Sequence, residues 1–110
     1  MRSTNLTTLG LRLGLALMLT CGPALAQDRN LGRNLAAQCA NCHGTDGRSQ
    51  GGIPSLAGQG RVYLIAQMSA FKAGQRSGPA ATIMHQLAKG YTDEQIALMA
   101  DYFAAQPAAK

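Results

Sequence analysis

The sequence contains no tryptophan, and its 110 residues include only three tyrosines and two phenylalanines. Aromatic side chains contribute strongly to hydrophobic cores, so their scarcity predicts a small core. A domain of this size buries a modest share of its surface and often needs disulfides, a metal or a cofactor for stability. The composition therefore favours a domain whose interior is completed by a bound group.

Acidic residues are also scarce, with five Asp and Glu against ten Lys and Arg. The basic residues form no clusters and have no aromatic residues between them, which is unlike a nucleic-acid-binding surface. The apolar run at 13–19 is shorter than the roughly 20 residues that a membrane-spanning helix requires. We expect neither a nucleic-acid partner nor stable membrane insertion.

Residues 1–26 have the pattern of a cleavable signal peptide. Arg2 precedes the apolar run, and Ala24-Leu25-Ala26 supplies the small residues that a signal peptidase needs. Cleavage before Gln27 predicts an exported, periplasmic domain at 27–110. Loss of Arg2 and Arg12 would lower the net charge from +5 to +3. An uncleaved anchor is the alternative for this segment.

Cysteine is limited to three residues, and Cys21 lies in the predicted signal peptide. Cys39 and Cys42 are so close in sequence that a disulfide between them would hardly constrain the unfolded chain. Together with His43 they form Cys-x-x-Cys-His, the attachment sequence of c-type haem. On a helical turn both thiols can form thioethers to one porphyrin while the adjacent imidazole binds the iron. We therefore predict one covalently attached haem c, with His43 as an iron ligand.

Two other kinds of site can contain such a string. A thiol–disulfide redox motif accompanies a βαβ pattern, which this sequence lacks. A structural zinc site needs four ligands, and His85 is the only histidine besides His43. Both alternatives are therefore less well supported than the haem.

Four residues are candidates for the opposite face of the iron: Met68, Met84, His85 and Met99. Met68 and Met99 lie on apolar stripes of predicted helices, where methionine usually fills the core. Met84 follows Gly78-Pro79 in a segment that we expect to be irregular, and a loop presents sulfur to iron more freely than a packed helix. We predict Met84 as the ligand, with His85 next. The choice matters because a thioether raises the haem potential and a second imidazole lowers it.

Hydrophobic spacing predicts an all-α domain. The first helix is expected from Asp28 to about Cys39, and the second over 61–73 with its end at Gly74. The last helix begins with a capping box at Thr92 and ends near Pro107. The Gly- and Ser-rich segment 44–60 and the segment 78–90, which opens with Gly78-Pro79, are expected to be irregular.

Several segments resemble class I cytochromes c, above all the group that includes the cytochrome subunit of flavocytochrome c sulfide dehydrogenase. These segments are Cys39-Ala-Asn-Cys-His-Gly44, Ile53-Pro-Ser-Leu-Ala-Gly-Gln59, Tyr63-Leu-x-x-Gln-Met68 and Ala88-Lys-Gly-Tyr-Thr-Asp-Glu-Gln95. The resemblance implies a class I cytochrome c fold, with three to four short helices wrapped around one covalently bound haem.

The resemblance also implies roles for single residues. Cys39 and Cys42 become the thioether anchors, and His43 and Met84 the axial iron ligands. The carbonyl of Pro54 accepts a hydrogen bond from the ligand histidine, and Tyr63 contacts the haem. Gly32 and Tyr102 match the close crossing of the terminal helices.

An iron closed on both faces has no position for a substrate, so we expect an electron-transfer protein and not an enzyme. Its partners would be redox proteins. The resemblance implies the electron-accepting cytochrome subunit of a flavoprotein that oxidises sulfide. A freely diffusing monohaem carrier is the alternative.

Overall fold

The computed structural model describes residues 30–110. This range forms five α-helices and two 3₁₀ turns, without a strand. The helices are α1 (Leu31–Ala36), α2 (Ala40–His43), α3 (Arg61–Lys72), α4 (Ala81–Lys89) and α5 (Asp93–Ala104), and the 3₁₀ turns are Ala37–Cys39 and Thr45–Gly47. The all-α prediction is confirmed. The predicted signal peptide 1–26 and the predicted cap Asp28 lie outside the described residues.

The first helical path runs further than the sequence predicts. Ala36 and Ala40, on either side of the first 3₁₀ turn, keep right-handed helical backbone angles, so α1 and α2 are continuous through the turn. The path ends at Gly44, whose φ of +81° is accessible mainly to glycine. This extension past Cys39 brings Cys42 and His43 into the same helical path.

Helices α3 and α5 follow their predictions closely. Helix α3 ends at Lys72, and Gly74 follows with a φ of +71°. Thr92 caps α5 with its side chain, and the Gln95 side chain accepts from the Thr92 backbone N–H, which completes the predicted capping box.

The prediction of an irregular segment over 78–90 is wrong, because α4 occupies Ala81–Lys89. Ala80, before its first residue, has a φ of +62° and no side-chain cap, so the usual start signal is missing from the sequence. The helix is held by packing, since Ala81 and Ala88 are buried in a cluster with Phe71 of α3. Met84 consequently lies on a helix and not in a loop.

The hydrophobic core is small and made largely of small side chains. One cluster joins α1, α3 and α5, and a second joins α3 and α4. Half of the ten buried apolar residues are alanines, and Ile96 is the only large side chain that is less than 2% exposed among the described residues. No helix in residues 30–110 is long and apolar enough to cross a bilayer.

Candidate cofactor site

The two thiols of the Cys-x-x-Cys-His string lie at the end of the first helical path. Cys39 ends the first 3₁₀ turn, is half-buried and packs against the core cluster of α1, α3 and α5. Cys42 in α2 is exposed. It lines an open cavity of about 520 Å³ together with Arg48 and Ile53 of the following loop. The Cys42 sulfur can therefore be reached by a large ligand.

Burial raises the pKa of the free Cys39 thiol, and a charge on Cys42 would raise it further, against an opposing backbone hydrogen bond. Reactive cysteines of thiol–disulfide enzymes have a lowered pKa because they lie at helix N-termini or beside cations. Cys39 lies within a helical path, and its pKa is raised instead of lowered. The site is therefore poorly suited to thiol–disulfide exchange.

His43 is oriented by the carbonyl of Pro54. Its Nδ1 lies 2.6 Å from the Pro54 oxygen, so Nδ1 carries the proton and donates it to that carbonyl. Nε2 makes no hydrogen bond to any residue of the described range. A neutral imidazole held in this tautomer presents Nε2 as a metal-binding atom. The hydrogen bond that the resemblance implied is present.

The loop that carries Pro54 is closed at its base by Gly47. The Gly47 carbonyl accepts from the backbone N–H of Leu56 at 2.8 Å and of Ala57 at 3.1 Å. Gly47 has a φ of +78°, and a Cβ there would lie 2.8 Å from the ring of Phe103. The loop is thus fixed against α5, and this holds Pro54 in reach of His43.

The candidates for the second iron ligand occupy different environments. Met99 is only 4% exposed and lies in the core, and Met68 is half-buried where the two clusters meet. Met84 is half-buried at the edge of the second cluster, beside Phe71 and Ala88. Its environment leaves the sulfur of Met84 freer than that of Met99.

His85 is already engaged within the protein. Its Nε2 lies 2.5 Å from the carbonyl oxygen of Arg76, and its ring packs at a tilt against Phe71 with 6.0 Å between centroids. The Arg76 guanidinium covers the same Phe71 ring at 4.6 Å. Because iron ligation would require His85 to give up this hydrogen bond, the contact favours Met84 over His85.

A structural zinc site also finds no support in the geometry. Residues 30–110 contain no group of three or more His, Cys, Asp or Glu side chains that could hold a metal ion. His85, the one remaining histidine, is bonded to Arg76. A metal bound at His43 would therefore need ligands of another kind, such as a porphyrin and a thioether.

Large apolar side chains are exposed on several elements. Tyr63, the predicted haem contact, is 51% exposed on α3, and Ile53 in the loop is 43% exposed. At least half of the surface of each of three other apolar residues is also exposed, namely Val62, Ile83 and Leu87. A flat apolar ligand is the kind of group that would cover such side chains. The two thiols and the Nε2 atom fit a covalently bound haem, and Ile53 lines the same cavity as Cys42.

Gly32 and Tyr102 lie where the terminal helices meet. A Cβ on Gly32 would come within 2.6 Å of the Leu98 carbonyl of α5. Tyr102 donates a hydrogen bond to Asp46, a residue that sequence reasoning did not single out. Asp46 also forms a 3.2 Å ion pair with Arg48. Asp46 has a φ of +53°, an unusual backbone angle that cannot be read from the sequence.

Comparisons with known proteins agree with a haem-binding site. The profile of the Cytochrome c family matches residues 30–106. The chain belongs to the cytochrome c family. The predicted class I fold, the haem c cofactor and an electron-transfer role are thereby confirmed, and redox proteins are the partners that such a cytochrome requires.

Individual relatives differ in how much of their length is matched. The chain is 46% identical to the cytochrome subunit of sulfide dehydrogenase from Chlorobaculum tepidum over 72 residues, which cover 66% of this chain and 63% of that protein. It is 40% identical over 82 residues to cytochrome c-554(548) of Halomonas halodenitrificans, covering 74% of this chain and 99% of that protein.

A solved structure shares the fold. Thiosulfate dehydrogenase TsdBA from Marichromatium purpuratum superimposes with a TM-score of 0.67 at 35% identity. The superposition covers 76% of this chain and 20% of that one. The cytochrome therefore corresponds to one part of that larger protein.

Proposed function

We propose that this cytochrome is exported to the periplasm, holds its haem through Cys39, Cys42, His43 and Met84, and accepts electrons from a sulfide-oxidising flavoprotein. The observation that carries the ligand assignment is the 2.6 Å hydrogen bond from His43 Nδ1 to Pro54, which leaves Nε2 for the iron. The partner is supported by the 46% identity to a cytochrome subunit of sulfide dehydrogenase.

Each residue of the site has a separate task. Cys39 and Cys42 would bind the porphyrin covalently, and His43 and Met84 would bind the iron from opposite faces. Pro54 fixes the tautomer of His43, and Tyr63 and Ile53 would exclude water from the haem. When bound, the haem supplies a site that accepts and releases one electron. Two protein ligands leave no position for a substrate, which suits electron transfer to and from other proteins.

The cofactor and the export signal can be tested in one experiment. The full chain is expressed with haem-attachment machinery, and the mass and visible spectrum of the exported protein are recorded. We expect the mass of residues 27–110 plus one haem and a c-type spectrum. A colourless product with the mass of the bare polypeptide would refute the haem assignment, and an unprocessed N-terminus would refute signal cleavage.

The second ligand is tested by substitution of Met84 and of Met68 in the haem protein. Met84→Ala should abolish the weak sulfur-to-iron absorption band and lower the reduction potential, while the haem stays covalently attached. Met68→Ala is the matched control, because it removes a half-buried thioether that packs between the two clusters and should keep the band. Retention of the band in Met84→Ala, or its loss in Met68→Ala, would contradict the assignment.

A freely diffusing carrier is the second candidate function. It is supported by cytochrome c-554(548), of which this chain covers 99%. Affinity purification of the exported protein separates the two: a yellow flavoprotein that co-purifies in fixed ratio supports the subunit. A haem protein that purifies alone and passes electrons to several acceptors supports the carrier. A permanent subunit needs a larger interface than a diffusing carrier, because weak redox encounters bury little surface.

A further inference from the structure

Ser55 joins the two arms of the loop that carries Pro54. Its Oγ accepts from the backbone N–H of Ser49 at 2.9 Å and donates to the Ser49 carbonyl at 3.4 Å. One hydroxyl therefore serves as donor and acceptor to the same residue, as a backbone pair in a sheet would. These contacts lie above the base of the loop, where Gly47 accepts from Leu56 and Ala57.

The carbonyl of Pro54 depends on its neighbour for its direction. Proline has no N–H with which to anchor itself, and Pro54 is exposed. Its C=O lies in one rigid peptide plane with the N–H and Cα of Ser55. Fixing Ser55 therefore restricts the direction of the oxygen that lies 2.6 Å from His43 Nδ1.

We propose that Ser55 is a positioning residue for His43: by bonding the backbone of Ser49, it aims the Pro54 carbonyl at Nδ1. This inference rests on the proposed function, in which Nε2 of His43 binds the iron. A hydrogen bond at the second ring nitrogen makes the ligand imidazole more basic, and a more basic ligand favours the oxidised iron. Loosening the loop should therefore raise the reduction potential.

The test compares variants of the haem-loaded protein. Ser55→Ala is expected to raise the midpoint potential and to speed hydrogen exchange at His43 Nδ1 about fivefold, as for loss of one ordinary hydrogen bond. Ser55→Thr retains the hydroxyl and should restore both values. Ser49→Ala is the matched control: it removes a hydroxyl that accepts from Gly51 N at 3.3 Å but keeps both backbone groups that bond Ser55. It should behave as the wild type.

The proposal is overturned if Ser55→Ala changes neither quantity, or if Ser49→Ala shifts both as strongly. A further measurement uses only the wild-type protein, in case Ser55→Ala does not mature. The Ser49 amide and the His43 ring proton should show similar protection, each measured relative to its own intrinsic exchange rate, because both depend on closure of the loop. A protection factor for the ring proton that exceeds that of the Ser49 amide by more than about tenfold would also overturn the proposal.

A His43 that does not bind the iron and a Ser55 that does not position His43 give different experimental results. If His43 does not bind the iron, the wild-type protein itself lacks the spectrum of a histidine-ligated haem. If only the role of Ser55 is wrong, that spectrum is present and Ser55→Ala leaves the potential unchanged.

Discussion

Gly32 of α1 lies so close to Leu98 of α5 that a Cβ atom on Gly32 would be 2.6 Å from the Leu98 carbonyl oxygen. The obstacle is backbone, which cannot turn aside as a flexible side chain can. The crossing of the terminal helices therefore requires glycine at position 32, although glycine costs a helix about 1 kcal/mol relative to alanine.

Gly32→Ala is expected to destabilise the haem protein by about 1–3 kcal/mol, because the overpacking outweighs the gain in helix propensity. Denaturant unfolding measures the change. Gly52→Ala is the control, since no atom of the described chain lies within 4 Å of a Cβ there. Equal stability of the two variants would show that α1 and α5 can separate without cost.

The capping box of α5 gives a second prediction. Thr92 Oγ1 accepts from Gln95 N at 3.2 Å, and Thr92 N donates to Gln95 Oε1 at 2.9 Å. Thr92→Ala should lower the free energy of unfolding by about 1 kcal/mol. Thr92→Ser retains the accepting oxygen and should retain most of the stability. If Thr92→Ser loses as much unfolding free energy as Thr92→Ala, the effect comes from packing of the threonine methyl group.

Tyr102 should make stability depend on alkaline pH. Its hydrogen bond to Asp46 raises the pKa of its hydroxyl, with burial and the charge of Asp46 acting in the same direction. The folded protein therefore holds this proton more tightly than the unfolded chain. The stabilisation is complete below the ordinary tyrosine pKa of about 10 and is lost as the pH rises through the higher folded pKa.

Tyr102→Phe is the variant that tests this dependence. It should be less stable near neutral pH by about 1 kcal/mol, and the difference from the wild type should shrink above pH ~10. Urea unfolding at several pH values measures both quantities. Asp46→Asn is a suitable comparison, because it keeps an accepting oxygen for the Tyr102 hydroxyl but removes the negative charge. If the difference in unfolding free energy between Tyr102→Phe and the wild type stays constant with pH, the role of Asp46 is contradicted.

The helices that the sequence predicted well carry their own local signals. Thr92 and Gln95 mark the start of α5, and Gly74 marks the end of α3. Helix α4 lacks such signals, since it begins after Ala80 and is stabilised by burial of Ala81 and Ala88 against Phe71. That contact is tertiary, so no local pattern could reveal it.

The site divides in a similar way. The Cys-x-x-Cys-His string is contiguous and can be read directly, and resemblance supplied Pro54. Ser55, Asp46 and Arg76 act through partners that are 6 to 56 positions away, namely Ser49, Tyr102 and His85. Serine, aspartate and arginine are ordinary in a polar loop, so nothing in the sequence distinguishes these three.

The last prediction concerns the protein without its haem. Five of the ten buried apolar residues are alanines, and Tyr63, Ile53 and Leu87 are exposed. We expect that so small a core does not hold the helices together alone, since domains of this size bury little surface. The variant with both Cys39→Ala and Cys42→Ala should therefore lose most of its helical far-ultraviolet circular dichroism and its cooperative thermal transition. Met68→Ala, which keeps the attachment sites, should keep both. A double variant that unfolds cooperatively with wild-type helix content would show that the polypeptide supplies its own interior.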